Sequence, residues 1–118
     1  MLSAVFFFAG MAFAKTKLIN VVYPATVGKT LKLKPGNYRI DVVNSKMSPE
    51  VKFFDNYGKL VGQAPVKVVN ETTKNRQTQV DYSTMASNNQ AITEISPAGW
   101  KENLFFSHPK SDRVDSKN

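Results

Sequence analysis

The sequence predicts an all-β fold, a single antiparallel sandwich or small barrel of about eight strands, on three observations. Short runs alternate apolar and polar residues at the strand period of two. Clusters of Pro, Gly, Asn and Asp separate those runs at a spacing of roughly 8–12 residues. No run at helical spacing extends beyond about two turns.

Taken in order, residues 18–23 are rich in β-branched and aromatic side chains and stop at Pro24. Residues 30–34 alternate, with Leu31 and Leu33 expected inward and Lys32 and Lys34 outward. Pro35 and Gly36 then supply the fixed φ and the free positive φ of a type II turn. Residues 37–43 resume the alternation with Tyr38, Ile40 and Val42 on one face, so 30–34 and 37–43 are expected to form a hairpin. A second hairpin is expected from residues 51–54 and 59–63 around Asp55-Asn56-Tyr57-Gly58. Residues 66–69, 79–83, 91–95 and 100–106 complete the strands, with polar connections at 70–77 and 85–90 and a turn at Ser96-Pro97-Ala98-Gly99.

The ends of the chain read differently. Met1 to Ala14 carries no charge, and its apolar stretch closes on Ala12-Phe13-Ala14, the small-x-small pattern of a signal-peptidase site. Twelve apolar residues are short of the roughly 20 that a membrane-spanning helix needs, so no transmembrane anchor is expected after processing. The expected organisation is a signal peptide at 1–14, a β domain at 15–106 and a polar tail at 107–118. The expected location is the periplasm or the extracellular space.

The run Leu33-Lys34-Pro35-Gly36-Asn37-Tyr38-Arg39-Ile40 is followed by Val51-Lys52-Phe53, Gly58-Lys59-Leu60-Val61 and Ala64-Pro65-Val66-Lys67-Val68-Val69, with Thr93-Glu94-Ile95 late in the chain. This pattern resembles small exported all-β proteins common in acidobacteria, over most of residues 22–106. The resemblance implies export and a β fold, and it brings no assigned activity. The core Leu-x-Pro-Gly-x-Tyr-x-Ile is also similar to transthyretin-like and carboxypeptidase-regulatory sandwiches, which implies a turn glycine at Gly36 and an inward aromatic at Tyr38.

Composition narrows the chemistry. With no cysteine the chain makes no disulfide, thiolate metal site or thiol nucleophile, and with His108 alone it lacks a histidine pair. Ser107 beside His108 cannot form a triad, because adjacent side chains point apart. The carboxylates Asp41, Glu50, Asp55, Asp81, Glu94 and Glu102 fall at outward strand positions or in turns, where a solvated charge is the default. No enzymatic activity, metal or cofactor is expected.

The net charge of +7 is the global feature with functional content. A basic domain is drawn to anionic polymers and lipid surfaces. Lys29, Lys32 and Lys34 form the densest group, and two readings of it stay open: an anionic-surface patch, or charges that keep an edge strand from pairing with other chains. The arginines are Arg39, Arg76 and Arg113, and the remaining cations are lysines, which disfavours sequence-specific nucleic-acid recognition. Phe54, Tyr57 and Trp100 are candidates for an aromatic contact surface, because the adjacent Phe53 and Phe54 must point to opposite faces. The function expected is an exported binding or structural module at an anionic surface. The alternative is a small-ligand or polysaccharide binder with an apolar groove, and self-association through exposed aromatics is a further option.

Overall fold

In the computed structural model, which describes residues 15–43, 48–85 and 89–107, the chain is all-β and its two sheets pack as a sandwich. Ten strands run in chain order: β1 Lys15–Val21, β2 Ala25–Val27, β3 Leu31–Leu33, β4 Gly36–Val43, β5 Glu50–Phe54, β6 Leu60–Pro65, β7 Lys67–Asn70, β8 Gln79–Thr84, β9 Gln90–Ser96 and β10 Glu102–Phe105. The first sheet is antiparallel in the order β1-β4-β5-β6. In the second, β9 is the central strand, paired along one side with β8. Its other side is shared, its first residues pairing in parallel with β2 and its last with β10. Strands β3 and β7 complete that sheet outside β2 and β10.

The alternation read from the sequence sets the core. Ile19 and Val21, Tyr38, Ile40 and Val42, and Val51 and Phe53 face inward from the first sheet, against Ala25, Val27, Leu33, Ile92, Ile95 and Leu104 of the second. Fully burying a side chain such as Phe53 contributes on the order of 2–3 kcal/mol, so this face holds the two layers together. The layers also meet along both sides, β1 against β8 and β3 against β6. At the β1 side the Tyr82 hydroxyl accepts the Val22 amide at 3.0 Å, and the Tyr82 ring meets Tyr23 edge-on at 5.1 Å. At the β3 side a Cβ on Gly62 would stand 2.5 Å from Leu31 Cδ1, so the glycine makes room for that leucine.

Three sequence expectations change. The Pro35-Gly36 hairpin does not form: β3 pairs with β2 in one sheet, and β4 pairs with β1 and β5 in the other. The chain turns there to cross between layers, and Gly36, at φ 152°, is already the first residue of β4, opposite Val21. A type II turn would hold it near φ 80°. The Tyr38 hydroxyl donates to the Lys34 carbonyl across this crossing at 2.6 Å, which is the tyrosine-corner geometry of immunoglobulin-like sandwiches. Strand β2 was absent from the expected set, since three residues between Pro24 and Gly28 are too few to carry a period. With β2 added to the nine runs read from the sequence, the described residues carry ten strands. Residues 1–14 and His108, with the rest of the expected tail beyond Ser107, lie outside the described residues.

Candidate functional site

Two of the three sequence-expected basic residues, Lys32 and Lys34, come to one corner of the sandwich, whereas Lys29 lies at the other end of β3, where Gly28 meets Ala64 and Pro65. Gly28, at φ 68°, lets the chain reverse between β2 and β3 and leaves Lys29 exposed on the turn. Strand β3 points Leu33 into the core and Lys32 into solvent, and Lys34 is exposed just after it. From the opposite layer, the β5–β6 turn is cinched by Asp55, whose Oδ1 accepts the amides of Tyr57 and Lys59, each at 2.9 Å. That turn, closed by Gly58 at φ 82°, throws the Tyr57 side chain outward to 92% exposure. Lys32, Lys34, Asn56 and Tyr57 thereby line one groove of about 380 Å3. Ion pairs among the described residues join Lys15 to Glu102 and Arg39 to Asp41, so none of Lys29, Lys32 and Lys34 has a carboxylate partner among those residues.

Beside this corner, the outer face of the first sheet carries a row that crosses all four strands. Leu18 is opposite Arg39, Arg39 opposite Phe54, and Phe54 opposite Leu60. The Arg39 guanidinium lies 4.2 Å from the Phe54 ring centroid and its Nε donates to Asp41 Oδ1 at 3.2 Å. This cation–π contact answers the question posed by the Phe53-Phe54 pair: Phe53 is in the core and Phe54 is half-buried under the arginine. Leu18 is 71% exposed. Asn20 Nδ2 donates to Asn37 Oδ1 at 2.7 Å on the same face. A larger groove of about 840 Å3 runs along this edge, lined by Leu18, Asn20, Val22, Asn37, Arg39 and Tyr82 among others.

The three candidate aromatics do not share one surface. Phe54 and Tyr57 sit toward the end of the sheet where Gly36 meets Val21, whereas Trp100 lies where Lys15 meets Val42, its ring 5.0 Å from Lys15 Nζ. Those ends are separated by the length of β1, roughly 20 Å at 3.3 Å per residue. Trp100 also packs against the core beside the Pro97–Gly99 turn, where its amide donates to the Pro97 carbonyl at 3.2 Å.

The carboxylates are dispersed or occupied. Glu102 accepts from Lys15 Nζ at 2.9 Å, and that hydrogen bond holds its carboxyl below the usual range. Asp81 and Glu94 stand opposite each other on the outer face of the second sheet, and each accepts from its own strand, from Gln79 Nε2 at 3.0 Å and Ser96 Oγ at 3.2 Å. Among the described residues no group of three His, Cys, Asp or Glu side chains comes together to hold a metal ion. Sequence reasoning passed over Asn20, Asn37, Arg39 and Asn56. Their only local signal is an outward strand or turn position, and the convergence comes from cross-strand register. Comparison with protein-family models, curated proteins and solved structures returns no match.

Proposed function

We propose that this chain is an exported, non-enzymatic binding module of the cell envelope, periplasmic or extracellular, that engages anionic polymer or lipid surfaces through Lys29, Lys32 and Lys34. The observation that carries the reading is the corner itself: Lys32 and Lys34 line one groove with the exposed Tyr57, Lys29 is exposed on the turn at the other end of β3, and none has a carboxylate partner among the described residues. The rival role, edge protection, accounts for Lys32, which lies on the edge strand β3, but not for Lys29 and Lys34, which lie off any strand. A second reading, a small-ligand binder, is favoured by the volume and apolar wall of the larger groove.

Co-sedimentation of residues 15–118 with anionic vesicles and with an acidic polysaccharide tests the reading. Binding is expected at low salt and is expected to weaken steeply as the Debye length contracts from about 10 Å at 0.1 M toward 3 Å at 1 M. The variant carrying Lys29→Glu, Lys32→Glu and Lys34→Glu should lose it. No binding at low salt, or binding that the triple variant retains, overturns the proposal and leaves the larger groove as the better candidate.

A further inference from the structure

The cationic groove does not end at its corner. Asn37, Tyr38, Asp55 and Asn56 line it and also line the larger groove, so the two form one continuous track. The track starts at Lys32 and Lys34, passes the first residues of β4 and the β5–β6 turn, and reaches Leu18 and Asn20 on β1. Its chemistry changes along the way, from ammonium groups and a phenol, through amides, to a guanidinium beside a leucine.

A bilayer presents charge in a plane, and a concave track that passes from one layer of the sandwich to the outer edge of the other leaves much of its lining out of a plane's reach. A flexible chain can follow it. Single-stranded nucleic acid is one such chain, but sites for it stack successive bases on successive aromatics, and the track has one fully exposed ring, Tyr57. A chain rich in hydroxyls fits the amides better. The Asn20 to Asn37 hydrogen bond leaves Asn20 Oδ1 to accept and Asn37 Nδ2 to donate. Arg39, held flat by Phe54 and Asp41, presents its remaining N–H groups for a planar carboxylate. The negative face of Tyr57 matches the weakly positive C–H face of a sugar ring.

We propose, building on the anionic-binding reading above, that this track holds a single strand of an acidic polysaccharide, with uronate carboxylates at Lys32, Lys34 and Arg39, a sugar ring on Tyr57, and sugar hydroxyls on Asn20, Asn37 and Asn56. The strand enters at the corner and leaves along β1.

The test uses residues 15–118 and a fluorescent oligogalacturonate, its neutral methyl ester, digalacturonate, an oligothymidylate, and phosphatidylglycerol vesicles, all at low salt. The oligogalacturonate should bind, and its methyl ester should bind at least about tenfold more weakly. Tyr57→Ala should weaken oligogalacturonate binding about fivefold to tenfold. Because that ring is 92% exposed, the variant should keep the urea midpoint of the parent chain. Asn20→Ala should weaken the long oligomer and leave digalacturonate, which occupies the corner, unchanged. Oligogalacturonate binding that ignores both substitutions, or tighter binding of oligothymidylate, overturns the inference. Vesicle binding without oligogalacturonate binding also overturns it while sparing the anionic-surface reading. If no anionic probe binds, both fall.

Discussion

Replacing Tyr38 by Phe removes one atom and tests the corner on which the layer crossing turns. The ring is 7% exposed and stays in the core as Phe, so the apolar burial is unchanged. What is lost is the hydroxyl that donates to the Lys34 carbonyl at 2.6 Å. A hydrogen bond of this kind contributes about 0.5–1.5 kcal/mol net, and Lys34 is exposed enough for water to reach the freed carbonyl, so the expected cost is about 1 kcal/mol. In thermal unfolding that corresponds to a Tm lower by about 4–8 °C for a domain of this size. Urea unfolding at constant m measures it, and Tyr38→Ala, which also removes the ring, should cost about 3–5 kcal/mol. A pH arm isolates the phenol. Burial pushes the Tyr38 pKa above its usual 10.0, and the negative charge of Asp55 adds to the rise. The unfolded chain therefore releases this proton first, and the stabilisation, complete below pH 10.0, is lost as pH rises through the folded value. The advantage of the parent chain over Tyr38→Phe should hold at neutral pH and shrink above about pH 10. Equal midpoints for parent and Phe variant, or an advantage that does not change with pH, would refute the corner's role.

Gly36→Val should destabilise by about 1–3 kcal/mol, because φ 152° is disfavoured for a β-branched residue, whereas Asn37→Ala should cost far less; equal urea midpoints would contradict this. Gly62→Ala should lower stability by crowding Leu31, and Leu31→Ala should relieve part of that cost, so a double-mutant cycle should show non-additivity of at least about 0.5 kcal/mol; strict additivity would mean that the two do not touch. Glu102→Gln should cost no more than about 1 kcal/mol at neutral pH, as befits a surface ion pair with Lys15. Since the Glu102 pKa is lowered, its contribution is present above the ordinary value of 4.5 and disappears as pH falls through the folded value, so chemical denaturation at low pH should find the two chains equally stable.

Much of the layer structure was legible because alternation is a local signal: Tyr38, Ile40, Val42, Val51 and Phe53 face the core as their spacing demands. The pairing of strands is not local. Pro35 and Gly36 announce a change of direction but carry nothing that tells a hairpin from a crossing between sheets. That choice was made by β1 and β5, which occupy both sides of β4 and leave no side for β3. The candidate site was legible to the same degree. Lys32 and Lys34 are near each other in sequence and in space, with Lys29 at the other end of β3, whereas Tyr57 joins Lys32 and Lys34 through the β5–β6 turn and Asn20 meets Asn37 only through the register of β1 on β4. Trp100 was drawn into the aromatic set by residue type, and its place at the far end is set by the β9–β10 turn.

The parallel pairing of Ala25, Thr26 and Val27 with Gln90, Ala91 and Ile92 has a kinetic consequence. All four strands of the first sheet lie within residues 15–65, so that sheet can assemble while later residues are still being made. Strands β2 and β3 must wait. Their only route into the second sheet is through β9, across a closed loop of more than sixty residues, a contact of high order and slow formation. The edge bearing Lys29 and Lys32 therefore gains its place in the second sheet late, and in a nascent or truncated chain lacking β9 it would rest on the pairing of β2 with β3 and the contact of β3 with β6.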